Sequence, residues 1–200
     1  MDVAVLVPIK SFRDAKGRLA GELDPASRAE LARMMAARVL AAAAPFPTFV
    51  VCDHDEVAEW AGQHGAEVLW TPGLGLNGAI DHAVDVVGGK GADHVVIAHS
   101  DLPLATGFGH LVIDGTVTLV PDHRLDGTNV QARPTAVDLA AGYGAASFRR
   151  HLTAALACGL PVRVVTDPRL ARDIDTIDDV RHLELVTGVD VLATLGGGDR

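Results

Sequence analysis

Short apolar runs recur along this chain, partly β-branched, and each is followed by a stretch with helical periodicity. That alternation limits the folds open to it. Val3–Val7 is continuous and closed by Pro8, as expected for a strand buried on both faces. Asp24 and Pro25 supply a helix N-cap and a proline at the first helical position, and Leu31, Met34, Met35, Val39 and Ala42 keep the helical period until Pro45. Further strands are predicted at Phe49–Cys52, Glu67–Trp70, His94–Ala98, Val117–Val120, Val130–Ala132 and Val162–Val165. Helices are predicted around Glu56–His64, Leu76–Val87, Phe148–Ala157 and Asp178–Val186. Strands separated by helices of this length imply βαβ crossovers, and so an α/β domain with a mostly parallel, mixed sheet.

With 200 residues the chain suits one domain with a full core, here taken as residues 1–190, with 191–200 expected as a disordered tail on account of Gly196, Gly197 and Gly198. The 48% apolar and 22% charged composition is that of a globular protein rather than a disordered one. A net charge of −9 argues against nucleic acid or an anionic membrane as partner. The first ten residues lack a basic leader and no run is long enough to span a bilayer, so a soluble, cytoplasmic protein is expected. Cys52 and Cys158 make no disulfide framework, and the nine histidines show no metal-ligand spacing. Ser100 and Ser147 lack the nucleophile-elbow pattern, so a hydrolase triad has no support.

In open α/β sheets ligands bind at the carboxyl ends of the strands, so the residues that follow each strand carry the functional reading. After the first strand, Lys10, Arg13, Lys16 and Arg18 place four of the 17 basic residues within nine positions of an otherwise acidic chain. Lysine point charges and arginine forks together suit a triphosphate, although a solvated charged loop would look the same. Asp101 follows the His94–Ala98 strand, where a carboxylate can hold Mg²⁺ or cap a turn before Pro103. Asp173 and Asp175 alternate along a segment read as extended, which would turn only one of them toward Asp101, and Asp175 or Thr176 could equally cap the last helix. The glycine-bearing loops at 73–78 and 126–129 can approach a ligand closely, but the first does not match the dinucleotide-binding spacing.

Taken in order, VPIKSFRDAKGRLA (7–20), SDLPL (100–104), DGTNV (126–130), GYGAASF (142–148) and DIDT (173–176) resemble the 2-phospholactate/phosphoenolpyruvate guanylyltransferases of coenzyme F-420 biosynthesis. These are relatives of the molybdopterin-guanylyltransferase-like nucleotidyltransferases, and the resemblance runs over residues 3–183. It implies a three-layer, Rossmann-like fold and transfer of GMP from GTP to the phosphate of a small phosphorylated acid, with release of pyrophosphate. It also implies Lys10, Lys16 and Arg18 on the GTP phosphates, and Mg²⁺ on Asp101, Asp173 and Asp175. Thr128, Gly144 and Ser147 match positions that contact the acceptor, and Asp53 and Asn77 stand as contacts to the nucleoside. The chain departs from the family pattern at His99, Ser100, Gln131 and Ala132, and has Ala145 and Ala146 where the acceptor loop usually carries proline and glycine. Another acceptor such as 3-phosphoglycerate, another base, a module that only binds nucleotide, and a homodimer all remain open on the sequence.

Overall fold

The computed structural model describes residues 1–196. Seven strands form one sheet in the order β3-β2-β1-β4-β6-β5-β7. They are β1 (Val3–Pro8), β2 (Thr48–Cys52), β3 (Glu67–Trp70), β4 (His94–Ala98), β5 (Val117–Pro121), β6 (Thr128–Pro134) and β7 (Val162–Val164). The pairs β3–β2, β2–β1, β1–β4 and β5–β7 are parallel, and β6 runs antiparallel to both of its neighbours. The helices are α1 (Pro25–Ala43), α2 (Asp55–Gln63), α3 (Gly75–Gly89), α4 (Ser147–Ala157), α5 (Ile177–Thr187) and α6 (Val191–Gly196).

Alternation along β1 explains the three layers. Val3, Val5 and Val7 pack with α1 and α2 on one face, while Ala4 and Leu6 pack with α3 on the other. At the start of α1, Asp24 accepts hydrogen bonds from the Ala26 and Ser27 amides at 2.8 and 3.0 Å, and Pro25 needs no partner. Alanines 29, 32, 36 and 43 then let the helix lie close to the sheet. A further cluster of Leu19, Leu23, Leu31, Met35, Ile174, Val180, Leu183 and Val191 joins the loop after β1 to α1, α5 and α6.

That cluster revises the chain's expected end. Residues 191–196 are helical, Val191 is buried, and the Leu192 amide donates to Glu184 at 3.0 Å, so the packed unit continues past residue 190. The apolar spacing of Val191, Leu192 and Leu195 is what draws the segment in, against the glycines that follow it. The remainder of the expected tail, 197–200, lies outside the described residues. Among the described residues no helix is long and apolar enough to cross a membrane.

Candidate active site

The loops after β1, β2, β3 and β4 surround a cleft of about 370 Å³, lined by Lys10, Cys52, Asp53, Thr71, Leu76, His99 and Asp101 among others. A second hollow of about 250 Å³ shares Lys10, Ser100 and Asp101 with it and adds Ser11, Phe12 and Lys16. Both open at the carboxyl edge of the parallel strands, as the sheet topology requires.

Asp101, Asp173 and Asp175 each bring a carboxylate oxygen to within 4.8 Å of the other two. Both aspartates of the late motif therefore reach Asp101, the grouping that the family resemblance implied, whereas strand alternation alone would have turned only one of them inward. The reason is that residues 172–176 are not a strand. Ile174 is 2% exposed in the α1/α5/α6 cluster, its amide donates to the Asp101 carbonyl at 3.3 Å, and the chain bends about it with both carboxylates on one side. Asp179 holds the bend from below, accepting from the Asp175 and Thr176 amides at 3.1 and 2.8 Å and from the Thr176 hydroxyl at 2.7 Å. Thr176, not Asp175, is the N-cap of α5, in a capping box with Asp179.

The cations of the first loop divide. Lys16 Nζ lies 2.7 Å from Asp101 and 3.3 Å from Asp175, and Arg18 lies 2.8 Å from Asp175. Lys10 is exposed at the junction of the two hollows, while Arg13 turns away to Glu56 of α2 at 3.4 Å. Lys16 has a left-handed backbone, φ 54°, a conformation held against its usual cost for a non-glycine residue.

Charge balance within the cluster is uneven. Burial disfavours the charged Lys16, yet Asp101 and Asp175 raise its pKa above the ordinary lysine value. Burial likewise opposes ionised Asp101, and Lys16 and then His99 outweigh it, so that its pKa lies below the usual carboxylate value. Asp173 is displaced upward by burial and then by the Asp101 charge. Three hard oxygen donors match what a divalent cation such as Mg²⁺ takes, and the buried Asp101 Oδ1 has no hydrogen-bond partner among the described residues.

Across the sheet, the residues matched to an acceptor site form a second group. The Thr128 amide donates to Ser147 Oγ at 3.0 Å, both side chains are buried, and Gly144 supplies φ 114° to the loop between them. Ala146 takes φ 54° at the N-cap of α4, where glycine would be unstrained. His151 of α4 closes this group. Its Nε2 accepts from the Gly142 amide at 2.9 Å, so Nδ1 carries the proton and donates to Thr128 Oγ1 at 2.9 Å. Burial, followed by the nearby Arg150 and Arg133 guanidinium groups, pushes the His151 pKa down to about 4.

Of the two residues expected on the nucleoside, Asp53 lines the cleft at the end of β2, whereas Asn77 is not among its lining residues. Its amide group binds the acceptor loop: Oδ1 accepts from the Tyr143 amide at 2.7 Å and Nδ2 donates to the Tyr143 carbonyl at 3.3 Å. Several residues that shape the site have no isolated signal in the sequence. Asn129 donates to Asp173 at 3.3 Å and to the Leu170 carbonyl at 3.0 Å, and Asp126 accepts from the Ala146 amide at 3.2 Å. Arg150 donates to the Gly142 and Ala145 carbonyls. Only for Asn129 and Asp126 was there a hint, since both lie in the glycine-bearing loop at 126–129.

The architecture recurs among solved structures. A protein of Desulfovibrio desulfuricans G20 described as a nucleotide-diphospho-sugar transferase superposes with a TM-score of 0.75 over 96% of this chain and 91% of its own, at 16% identity. A nucleotidyl transferase from Methanothermobacter gives 0.63 over 96% and 99%, also at 16% identity. The fold is thus that of the nucleotide-diphospho-sugar transferases, a nucleotidyltransferase scaffold.

Sequence narrows the class. A family profile described as "Guanylyl transferase CofC like" matches residues 3–193, and the chain belongs to that family. Among its relatives, the phosphoenolpyruvate guanylyltransferase of Sphaerobacter thermophilus is 36% identical over 92% of this chain and 93% of its own. The 2-phospho-L-lactate guanylyltransferase of Methanothermobacter thermautotrophicus is 30% identical over 92% and 85%.

Proposed function

We propose that this protein transfers GMP from GTP to the phosphate of a small phosphorylated carboxylic acid, phosphoenolpyruvate or 2-phospho-L-lactate, and releases pyrophosphate. The observation that carries this reading is the convergence of Asp101, Asp173 and Asp175 with Lys16 and Arg18 at the mouth of the cleft, in a chain of this family. The cleft takes the nucleoside, with Asp53 at its wall, and Lys10, Lys16 and Arg18 take the triphosphate. Thr128, Gly144 and Ser147, at the amino end of α4, take the acceptor, whose negative charge the helix terminus favours.

In the reaction an acceptor phosphate oxygen forms a bond to the α-phosphorus of GTP, and the bond from that phosphorus to the bridging oxygen breaks as pyrophosphate leaves. The attacking oxygen is already ionised at neutral pH, so no general base is needed, and positioning and charge neutralisation dominate. Asp101, Asp173 and Asp175 would hold Mg²⁺, which supplies neutralisation of phosphate charge when bound. Lys16 and Arg18, paired with aspartates in the absence of substrate, are the cations in reach of the departing pyrophosphate.

The test is pyrophosphate release from GTP with Mg²⁺, with phosphoenolpyruvate, 2-phospho-L-lactate and 3-phosphoglycerate supplied separately, and with ATP and CTP as competing donors. Release with GTP and one of the first two acids is expected. Asp101→Asn is expected to lower kcat/KM about 10³-fold, the loss of about 4 kcal/mol of transition-state stabilisation, with an unchanged circular dichroism spectrum. Dependence on 3-phosphoglycerate alone, or an unfolded Asp101→Asn, would refute the assignment.

A further inference from the structure

Both carboxylate oxygens of Asp175 are held by cations of this chain. Lys16 Nζ lies 3.3 Å from Oδ1 and Arg18 Nη1 lies 2.8 Å from Oδ2, and the same Nζ lies 2.7 Å from Asp101 Oδ2. Asp173 Oδ1 accepts from Asn129 at 3.3 Å, whereas Asp101 Oδ1 is buried with no partner among the described residues. A divalent cation held jointly by the three carboxylates needs an oxygen of Asp175, and neither is free of a basic side chain. An ammonium and a dication on the same oxygens repel, the more so where the lysine side chain is only 10% exposed and water screens little.

Of the two basic side chains, Lys16 is the one in the way. It bridges Asp101 and Asp175, whereas Arg18 touches Asp175 alone and is largely exposed. Its side-chain hydrogen bonds among the described residues are those two, made by a point charge on a flexible stem that can swing away. The backbone is set for such a move. Lys16 keeps a left-handed φ of 54°, a conformation that persists only where surrounding contacts impose it, and Gly17 follows with open space where a Cβ would stand. We propose that Lys16 is a resident counter-ion of the carboxylate cluster, displaced when a divalent cation takes those oxygens, and that the freed ammonium is the one the triphosphate takes up. Metal ion and triphosphate then favour each other's binding through Lys16, since each frees the group that the other needs. For the identity of the anion this rests on the guanylyl-transfer reading, but its test requires no turnover.

The chain's lysines are Lys10, Lys16 and Lys90, so each amine can be followed singly. Labelling of the wild type with acetic anhydride, read by mass spectrometry, is compared without Mg²⁺, with saturating Mg²⁺, and with Mg²⁺ and GTP. Labelling of Lys16 is expected to rise about 10-fold or more with Mg²⁺, the factor that one released charge-assisted hydrogen bond represents, and to fall again with GTP. Lys90, paired with Glu67 at the amino end of β3, is expected to stay within about twofold. Mn²⁺ affinity without nucleotide is then measured by electron paramagnetic resonance for the wild type, Lys16→Met and Lys10→Met. Lys10 borders the same hollow with no ion pair among the described residues, and so controls for charge alone. Lys16→Met is expected to bind Mn²⁺ about 10- to 100-fold more tightly than the wild type, and Lys10→Met within about threefold of it. The proposal is overturned by a Lys16 that stays protected under Mg²⁺ or remains labelled once GTP is added. It is equally overturned by a Lys16→Met that binds Mn²⁺ no more tightly than the wild type, or by a Lys10→Met that gains as much. If Lys16→Met does not fold, labelling of the wild type decides. A wild type that shows the exchange but releases no pyrophosphate refutes guanylyl transfer and leaves the exchange standing.

Discussion

His151 makes a quantitative pH experiment possible. The side chain is 1% exposed, and both ring nitrogens are engaged in a way that only the neutral ring permits: Nε2 accepts from the Gly142 amide while Nδ1 donates to Thr128. A second proton would set Nε2–H against the Gly142 N–H in a pocket already facing Arg150 and Arg133. The pKa of about 4 in the folded state, against 6.5 for a free histidine, means that the unfolded chain binds more protons between those values. Stability from this group is therefore fully present above pH 6.5 and is lost as the pH falls toward 4. The whole shift corresponds to about 3 kcal/mol, of which about three-quarters is gone at pH 4.5.

Other groups lose stability in acid as well, notably Asp101 and Asp179, both held below the usual carboxylate value. The comparison that isolates His151 is with His151→Gln, whose amide can both accept and donate. Urea unfolding followed by circular dichroism at pH 7 and pH 4.5 is expected to show a midpoint drop larger in the wild type by about 1 M, for a slope of about 2 kcal/mol per M. The wild-type His151 C2–H resonance is expected to titrate near pH 4. An equal midpoint drop in both proteins, or a resonance titrating above pH 6, would refute the assigned tautomer and network.

Two substitutions examine the acceptor loop. Ala146→Gly removes the left-handed strain at φ 54° and adds unfolded-state freedom; a net gain of up to about 1 kcal/mol, or 2–4 °C in Tm, is expected by scanning calorimetry, and a lower Tm would contradict it. Asn77→Ala releases Tyr143 from α3 and is expected to cost about 1 kcal/mol and to raise the acceptor KM about 10-fold. If the GTP KM rises instead, Asn77 is the nucleoside contact that its motif implies.

The centre of the sheet was legible because β1, β2 and β4 bury both faces and so write themselves as nearly unbroken apolar runs, as in Val3–Val7 and Val95–Ala98, whereas the edge strands β3 and β7 are partly exposed. β6 was harder. Only Val130–Ala132 was expected, since Thr128, Asn129 and Arg133 are polar, yet all three are buried in the strand. The first-loop cations and Asp101 were found from their position after strands, which topology alone predicts. The joint approach of Asp173 and Asp175 came only from the family resemblance and not from periodicity, because it depends on Ile174 finding a distant apolar cluster, a long-range fact that a period-two reading cannot contain. The contacts of Asn77 with Tyr143 and of His151 with Thr128 escaped for the same reason, since the partners lie 66 and 23 residues apart.

The reversed direction of β6 has a consequence for how such a protein can change. β1, β2 and α3, with the loops after β3 and β4, carry the walls of the larger cleft, whereas β6, α4 and the loop between them carry the residues matched to the acceptor. The two halves adjoin along the antiparallel pairing of β4 with β6 and through α3, whose Asn77 and Asp81 side chains hold the Tyr143 and Ala141 backbone. On the proposed function, substitutions on the α4 side that spare these contacts exchange one small acid for another while the opposite half keeps its nucleotide. Inheritance would then act on the two substrates through largely separate sets of residues.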